Sequence, residues 1–198
     1  LKFFYFKKFE IDNIPVLIAR SGWSGEAGYE IYLLDGSKGN ELWEIIMNVG
    51  KEYKIAPAAP SQINRIECGM LSYGSDMTLE ENPYDISLEK FVNLDKNADF
   101  LSKEALTKIK IDGITRELVG VEINQKTSDE YIRDHLPIYD DINIIGKITS
   151  SVYSPRLKKT IGLAIINNNS KDSENLHLLY DDRKIEVKIS KLPFIRNK

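Results

Sequence analysis

The sequence predicts an α+β protein made of two parts, a region of mixed strands and helices followed by a small all-β region. Through about residue 112, short runs of alternating apolar residues are interspersed with stretches whose apolar residues recur at helical spacing. Beyond Asp112-Gly113, short β-type runs are separated by turn residues. We therefore expect two domains, 1–112 and 113–198, the second being a small barrel or sandwich.

The elements of the first part follow from apolar spacing and turn residues. A helix is expected over 39–53, because its apolar residues recur on one face. A second helix is expected to start at Pro60-Ser61 with Ile63, Ile66 and Met70 facing inward, which places Arg65 and Glu67 off that face. A short helix is expected over 102–109, and strands are expected at 3–9, 15–20 and 28–34.

The second part is expected to consist of strands of regular spacing. Turn residues such as Asp181-Asp182-Arg183 separate them. The expected strands are 117–123, 144–152, 160–166, 176–180 and 184–189.

Composition limits the classes of partner and compartment. The 198 residues carry a formal net charge of −3 with interspersed signs, which gives no electrostatic reason to expect nucleic acid or a membrane as partner. The single cysteine, Cys68, and the isolated His135 and His177 indicate no disulfide and no metal site, so a reducing, cytoplasmic location is expected. No apolar stretch approaches the roughly 20 residues needed to cross a bilayer.

A glycine-spaced stretch at 21–32 is the strongest candidate for chemistry. Its glycines recur every third residue, which suits a close approach of the backbone to a ligand or another chain segment. In a strand, Glu30 and Tyr32 project from the same face and could line one pocket. A plain hairpin with exposed acids is the alternative.

These residues and several later motifs resemble a known family. The run Gly-Trp-Ser-Gly-Glu-x-Gly-Tyr-Glu, residues 22–30, is similar to the signature strand of the glycine-cleavage T-protein (aminomethyltransferase) superfamily. The resemblance continues at 59–70, 73–77, 146–157 and 161–164, in the family's order. It implies that the chain is the second half of the T-protein folate-binding domain followed by the small C-terminal β-barrel.

Within the superfamily, Trp23 and the segment 62–77 are most similar to the tetrahydrofolate-dependent dimethylsulfoniopropionate demethylases, whereas T-proteins usually have tyrosine in place of this tryptophan. The resemblance implies an enzyme that moves a methyl group from a sulfonium substrate to tetrahydrofolate. One alternative is an aminomethyltransferase that works with a lipoylated carrier protein. Another is a non-catalytic folate-binding module or an inactive fragment.

The resemblance also implies site residues. Glu30 is expected to accept hydrogen bonds from the pterin N–H and amine, a charge-assisted bidentate pair. Arg65 matches the family arginine associated with folate binding. Trp23 and Tyr32 would offer ring faces, which attract a cation by roughly 0.5–2 kcal/mol. The respective alternatives are a solvent-facing acid for Glu30, a helix-surface ion pair of Arg65 with Glu67 or a neighbour, and ordinary strand packing for Trp23 and Tyr32.

No catalytic residue is expected within the chain. The resemblance places the family's catalytic aspartate in an N-terminal half that these residues do not match. Cys68 is expected to be a packing residue, since no histidine lies near it in sequence. Arg156, in a Ser-Pro-Arg turn, is expected either to contact the cofactor tail or to form a structural ion pair.

Overall fold

A computed structural model describes residues 1–124, 135–173 and 175–196 of the chain. The chain divides into two compact units, Leu1–Ser61 and Gln62–Lys198. In the part of the chain that the structure describes, no helix is both long enough and apolar enough to cross a membrane.

The first unit contains an antiparallel sheet of order β1-β2-β3 and one long helix. Asp12 and Asn13 turn the chain between the first two strands, both at positive φ as a tight hairpin turn of this kind requires. The elements are β1 (Phe6–Ile11), β2 (Ile14–Ala19), β3 (Glu30–Leu33), a 3₁₀ turn (Gly36–Lys38), α1 (Gly39–Val49) and a second 3₁₀ turn (Gly50–Tyr53).

One face of this sheet packs on α1. Alternate residues of β2, Ile14 and Val16, are buried together with Leu42 of α1. Leu33 of β3 packs against the same cluster. Because side chains alternate along a strand, the neighbours of these residues project from the opposite face, which α1 does not cover.

The predicted helix over 39–53 is α-helical only as far as Val49. At Gly50 a Cβ would clash with the side chain of Ile55, so the chain must pass close to itself there. Lys54 then adopts the left-handed conformation and ends the 3₁₀ turn.

The second unit contains a closed barrel, and two helices precede its first strand in the sequence. In the described residues the strand order around the barrel is β4-β7-β6-β5-β8-β9, which decides between barrel and sandwich. The sequence missed β5, which is short and begins with proline, and therefore lacks an extended alternating pattern. The elements are α2 (Gln62–Glu67), a 3₁₀ turn (Glu89–Phe91), α3 (Lys103–Asp112), β4 (Arg116–Ile123), β5 (Pro137–Asp140), β6 (Asn143–Ser154), β7 (Lys159–Asn167), a 3₁₀ turn (Asn168–Ser170), β8 (Leu176–Tyr180) and β9 (Arg183–Ser190).

A second apolar cluster lies outside the barrel and holds α2 against it. Ile66 of α2 packs with Leu163 of β7, and Phe194 of the C-terminal segment joins them. The sequence placed Arg65 and Glu67 off the inward face of α2, yet both are buried, at 2% and 0% exposed. This six-residue helix contacts both β6 and β7, so residues outside the apolar face are covered as well.

Candidate functional site

Glu30 and Tyr32 project from the open face of the first unit's sheet. Glu30 pairs with Ala19 and Tyr32 pairs with Leu17, whereas the alternate residue Leu33 faces the cluster on α1. Both residues are exposed, Tyr32 to 50%. The edge strand β3 therefore presents a carboxylate and a phenol side by side.

A hydroxyl group orients the Glu30 carboxylate. The Ser21 side chain, at the start of the loop between β2 and β3, donates a hydrogen bond to Glu30 Oε2. The exposed carboxylate retains its other oxygen to accept from a ligand donor.

Trp23 lies in the same loop and is 41% exposed. Gly25 has φ 72°, a conformation that favours glycine. At Gly22 and Gly28 an added Cβ would meet no atom within 4 Å. At these two glycines the structure shows no close approach to another chain segment, and an approach to a ligand stays a prediction.

Arg65, the remaining candidate, belongs to the second unit and is embedded in a polar network. Its Nη1 donates to Asp76 Oδ2 at 2.7 Å and to the carbonyl of Met70 at 3.1 Å. Its Nη2 donates to Ser150 Oγ at 2.7 Å, and its Nε donates to Gln62 Oε1. The guanidinium thus makes contacts on all of its donor edges within the unit.

Glu67 makes a separate set of contacts on α2. Ser154 Oγ donates to Glu67 Oε1 at 2.5 Å, and Arg156 Nε lies 2.8 Å from Oε2. Arg65 does not pair with Glu67, because residues two apart on a helix point to different sides. For Arg156, the structure shows the ion-pair alternative.

Another carboxylate, that of Glu81, lies 3.7 Å from Nζ of Lys147 on β6. Its side chain is 2% exposed, and the Thr78 amide and hydroxyl donate to its Oε2 at 2.8 and 2.9 Å. Burial works against ionisation, but the Thr78 hydrogen bonds and the charges of Lys147 and Arg116 outweigh it and hold the pKa of Glu81 below its usual 4.5.

The remaining candidates from composition have packing environments. His177 is 5% exposed and stacks on the Tyr139 ring with centroids 5.6 Å apart. Cys68 is partly buried and forms no disulfide within the described residues. Among residues 1–124, 135–173 and 175–196, no group of three histidine, cysteine or acidic side chains could hold a metal ion.

Comparison with known proteins identifies the family. The GCVT N-terminal domain model matches residues 1–96, and the glycine cleavage T-protein C-terminal barrel domain model matches residues 116–195. The chain belongs to the glycine cleavage T-protein superfamily.

Relatives within the superfamily carry two names. An aminomethyltransferase of Thermoanaerobacter pseudethanolicus is 40% identical over 172 residues, covering 85% of this chain and 45% of its own. An aminomethyltransferase of Halothermothrix orenii is 34% identical over 98% of this chain and 54% of its own. The dimethylsulfoniopropionate demethylase DmdA of Ruegeria pomeroyi is 30% identical over 85% of this chain and 45% of its own.

The fold has a counterpart among solved structures. The glycine cleavage system aminomethyltransferase T from Bartonella henselae superposes with a TM-score of 0.81 at 24% identity, covering 96% of this chain and 52% of that one. The chain thus spans about half the length of the curated relatives it matches.

Sequence reasoning assigned no role to several residues that build the network around Arg65. Asp76, Thr149 and Ser150 fall within the quoted family motifs, but no spacing rule connects a turn to a barrel strand more than 70 residues away. The sequence feature that could have drawn attention to Asp76 was its place in the Tyr-Gly-x-Asp motif at residues 73–76.

Proposed function

We propose that this protein is a folate-dependent one-carbon transferase with Glu30 as its pterin anchor. The observation that carries the proposal is the exposed Glu30 carboxylate, which Ser21 orients on an open sheet face beside Tyr32. A pterin edge needs an acceptor for neighbouring N–H groups, and an ionised carboxylate is the strongest side-chain acceptor for such a pair. The residues present therefore fit tetrahydrofolate.

The roles of the other residues follow from their exposure. Trp23 and Tyr32 supply ring faces for the flat cofactor or for a cationic donor. When bound, tetrahydrofolate supplies the nitrogen that accepts the one-carbon group. The protein residues bind and orient, and alignment of two reactants can be worth roughly 7–11 kcal/mol.

The donor class distinguishes two versions of this function. Aminomethyl transfer from a lipoylated carrier, with release of ammonia, is supported by the 40% and 34% identical relatives that carry the name aminomethyltransferase. Methyl transfer from a sulfonium such as dimethylsulfoniopropionate is favoured by the exposed indole of Trp23, which can attract a cation, and by the 30% identical demethylase. A cytoplasmic location is part of both versions.

Glu30→Gln tests the anchor. Titration of tetrahydrofolate into the protein expressed from its intact gene is expected to show affinity lowered by about 10- to 100-fold, the loss of a hydrogen bond to a charged group. Glu10→Gln is the matched control. Glu10 pairs with Pro15 and lies on the same face of the sheet as Glu30, so its substitution removes the same charge from that face. Equal affinities of Glu30→Gln and the unchanged protein would refute the anchor.

The donor is tested by product analysis. Formation of 5-methyltetrahydrofolate from dimethylsulfoniopropionate selects methyl transfer. Formation of 5,10-methylenetetrahydrofolate with ammonia, dependent on an aminomethylated lipoyl protein, selects aminomethyl transfer. Tetrahydrofolate binding without formation of either product would favour the alternative of a non-catalytic folate-binding module.

The predicted contact of Arg65 with folate stays a prediction. A guanidinium fork suits the glutamyl carboxylates of the cofactor. All three guanidinium nitrogens of Arg65 already donate to groups of the second unit, which favours a structural role.

A further inference from the structure

Asp76 is a buried hub that joins three parts of the second unit. It is 1% exposed, and its Oδ1 accepts hydrogen bonds from Thr149 Oγ1 and Ser150 Oγ, both at 2.7 Å. Its Oδ2 accepts from Arg65 Nη1 at 2.7 Å and from the Ser72 amide at 2.8 Å. One carboxylate therefore connects helix α2, the turn that contains it, and strand β6.

A β-bulge makes the contact with β6 geometrically feasible. Adjacent residues of a regular strand point to opposite faces, so Thr149 and Ser150 could not both reach one oxygen. The pairing of β6 with β7 shifts register between Ile148 and Ser150, which inserts Thr149 as an extra residue. The bulge turns both hydroxyls toward Asp76.

The turn Ser72–Met77 depends on this carboxylate for its position. The Asp76 amide donates to the carbonyl of Ser72 at 2.8 Å, and Gly74, at φ 90°, donates its amide to the carbonyl of Met77 at 2.8 Å. These bonds shape the turn but do not attach it to the barrel. Asp76 makes the polar attachment through Thr149 and Ser150, beside the apolar contact of Met77 with the cluster outside the barrel.

Arg65 forms the buried ion pair that holds the Asp76 carboxylate in place, with Nη1 and Oδ2 2.7 Å apart. It is 2% exposed, and contact with a ligand would require it to give up a buried partner. Leaving a buried charge without its partner is strongly destabilising. Its Nη2 also donates to Ser150 Oγ, which in turn donates to Asp76, so the three groups form a closed cycle.

We infer that Arg65 is a positioning residue that holds Asp76 and thereby docks the Ser72–Met77 turn on the bulge of β6, and that it does not itself contact folate. The geometry stands independently of the reaction. Only the predicted effect on folate affinity rests on the proposed function.

Amide hydrogen exchange of the Gly74 N–H tests the docking. Its own bond goes to the Met77 carbonyl, so it changes only if the turn moves. Asp76→Asn and Arg65→Lys are expected to raise its exchange rate by about 10- to 100-fold. Ser150→Ala, a milder change, is expected to give a smaller increase in a folded protein. Thr78→Ala, which removes an exposed hydrogen bond outside the network, is the control and is expected to leave Gly74 unchanged.

Folate titration of the same variants separates positioning from direct contact. A positioning role predicts that Arg65→Lys and Asp76→Asn lower the affinity by the same factor and that the double variant loses no more. Faster exchange at Gly74 is expected to accompany the loss. A drop for Arg65→Lys alone, with Gly74 exchange unchanged, would overturn the inference in favour of direct contact. Unchanged Gly74 exchange in Ser150→Ala and Asp76→Asn would overturn it as well.

Failure of the proposed function is recognised separately. It would appear as tetrahydrofolate binding that Glu30→Gln does not alter. The Gly74 exchange rates would still decide whether the Arg65–Asp76 pair docks the turn.

Discussion

The ion pair between Glu67 and Arg156 predicts an asymmetric response to mutation. The Glu67 side chain is 0% exposed, whereas the Arg156 side chain is 44% exposed. In Glu67→Gln, the amide oxygen can still accept from Ser154, and Arg156 can turn its charge into water. The expected loss is about 1.5 kcal/mol, the lower end for a hydrogen bond to a charged group, because Arg156 regains contact with water.

Arg156→Met is expected to cost more, although it changes the more exposed partner. It leaves the buried Glu67 carboxylate without its counter-ion, with the Ser154 hydroxyl still donating to Oε1. Removing one partner of a fully buried pair costs about 3–5 kcal/mol, and the half-exposed arginine lowers this to about 2–4 kcal/mol. The double variant Glu67→Gln/Arg156→Met removes the stranded charge and is expected to match Glu67→Gln within about 0.5 kcal/mol.

Urea unfolding followed by circular dichroism measures these differences as the extrapolated free energy of unfolding. The slope of the free energy of unfolding against urea concentration should be the same for all variants, because the same surface is exposed on unfolding. A loss in Arg156→Met no greater than that in Glu67→Gln would refute the reasoning. So would a double variant less stable than both single variants.

Two further predictions concern the second unit. Because the folded pKa of Glu81 lies below 4.5, its ionised form stabilises the fold above that pH, and this contribution is lost as the pH falls through the folded value. In urea titrations, the stability difference between the unchanged protein and Glu81→Gln should therefore be largest near neutral pH and should shrink as the pH falls below 4.5; a difference that grows on acidification would contradict this. Gly146→Ala should cost about 1–3 kcal/mol, because its Cβ would clash with the backbone oxygen of Ile165. Gly28→Ala is the control, because a Cβ there meets nothing within 4 Å. Equal unfolding midpoints for the two variants would contradict the close packing of Gly146 against Ile165.

Most strands and the helix α1 could be predicted because their signals are local. The apolar run of β2 and the helical spacing of α1 depend on residues that are neighbours in sequence. The ends of these elements were harder to predict. The change from α-helix to 3₁₀ turn at Gly50 follows from contact with Ile55, which periodicity does not record.

The candidate site was predicted only in part, for the same reason. Glu30 and Tyr32 share a face because of strand geometry, so the sequence alone placed them together. Whether they contact folate stays a prediction. Only the tertiary structure shows that α1 packs on the opposite face of the sheet and leaves the face of Glu30 and Tyr32 uncovered by this helix.

Arg65 and Glu67 show where sequence reasoning ended. The sequence determined that they lie two apart on a short helix and point to different sides. It could not show that both are buried, because their partners Asp76, Ser150 and Arg156 come from a distant turn and from the barrel. The free energy of burying a charge depends on the groups that surround it in space, and only the folded chain brings those groups together.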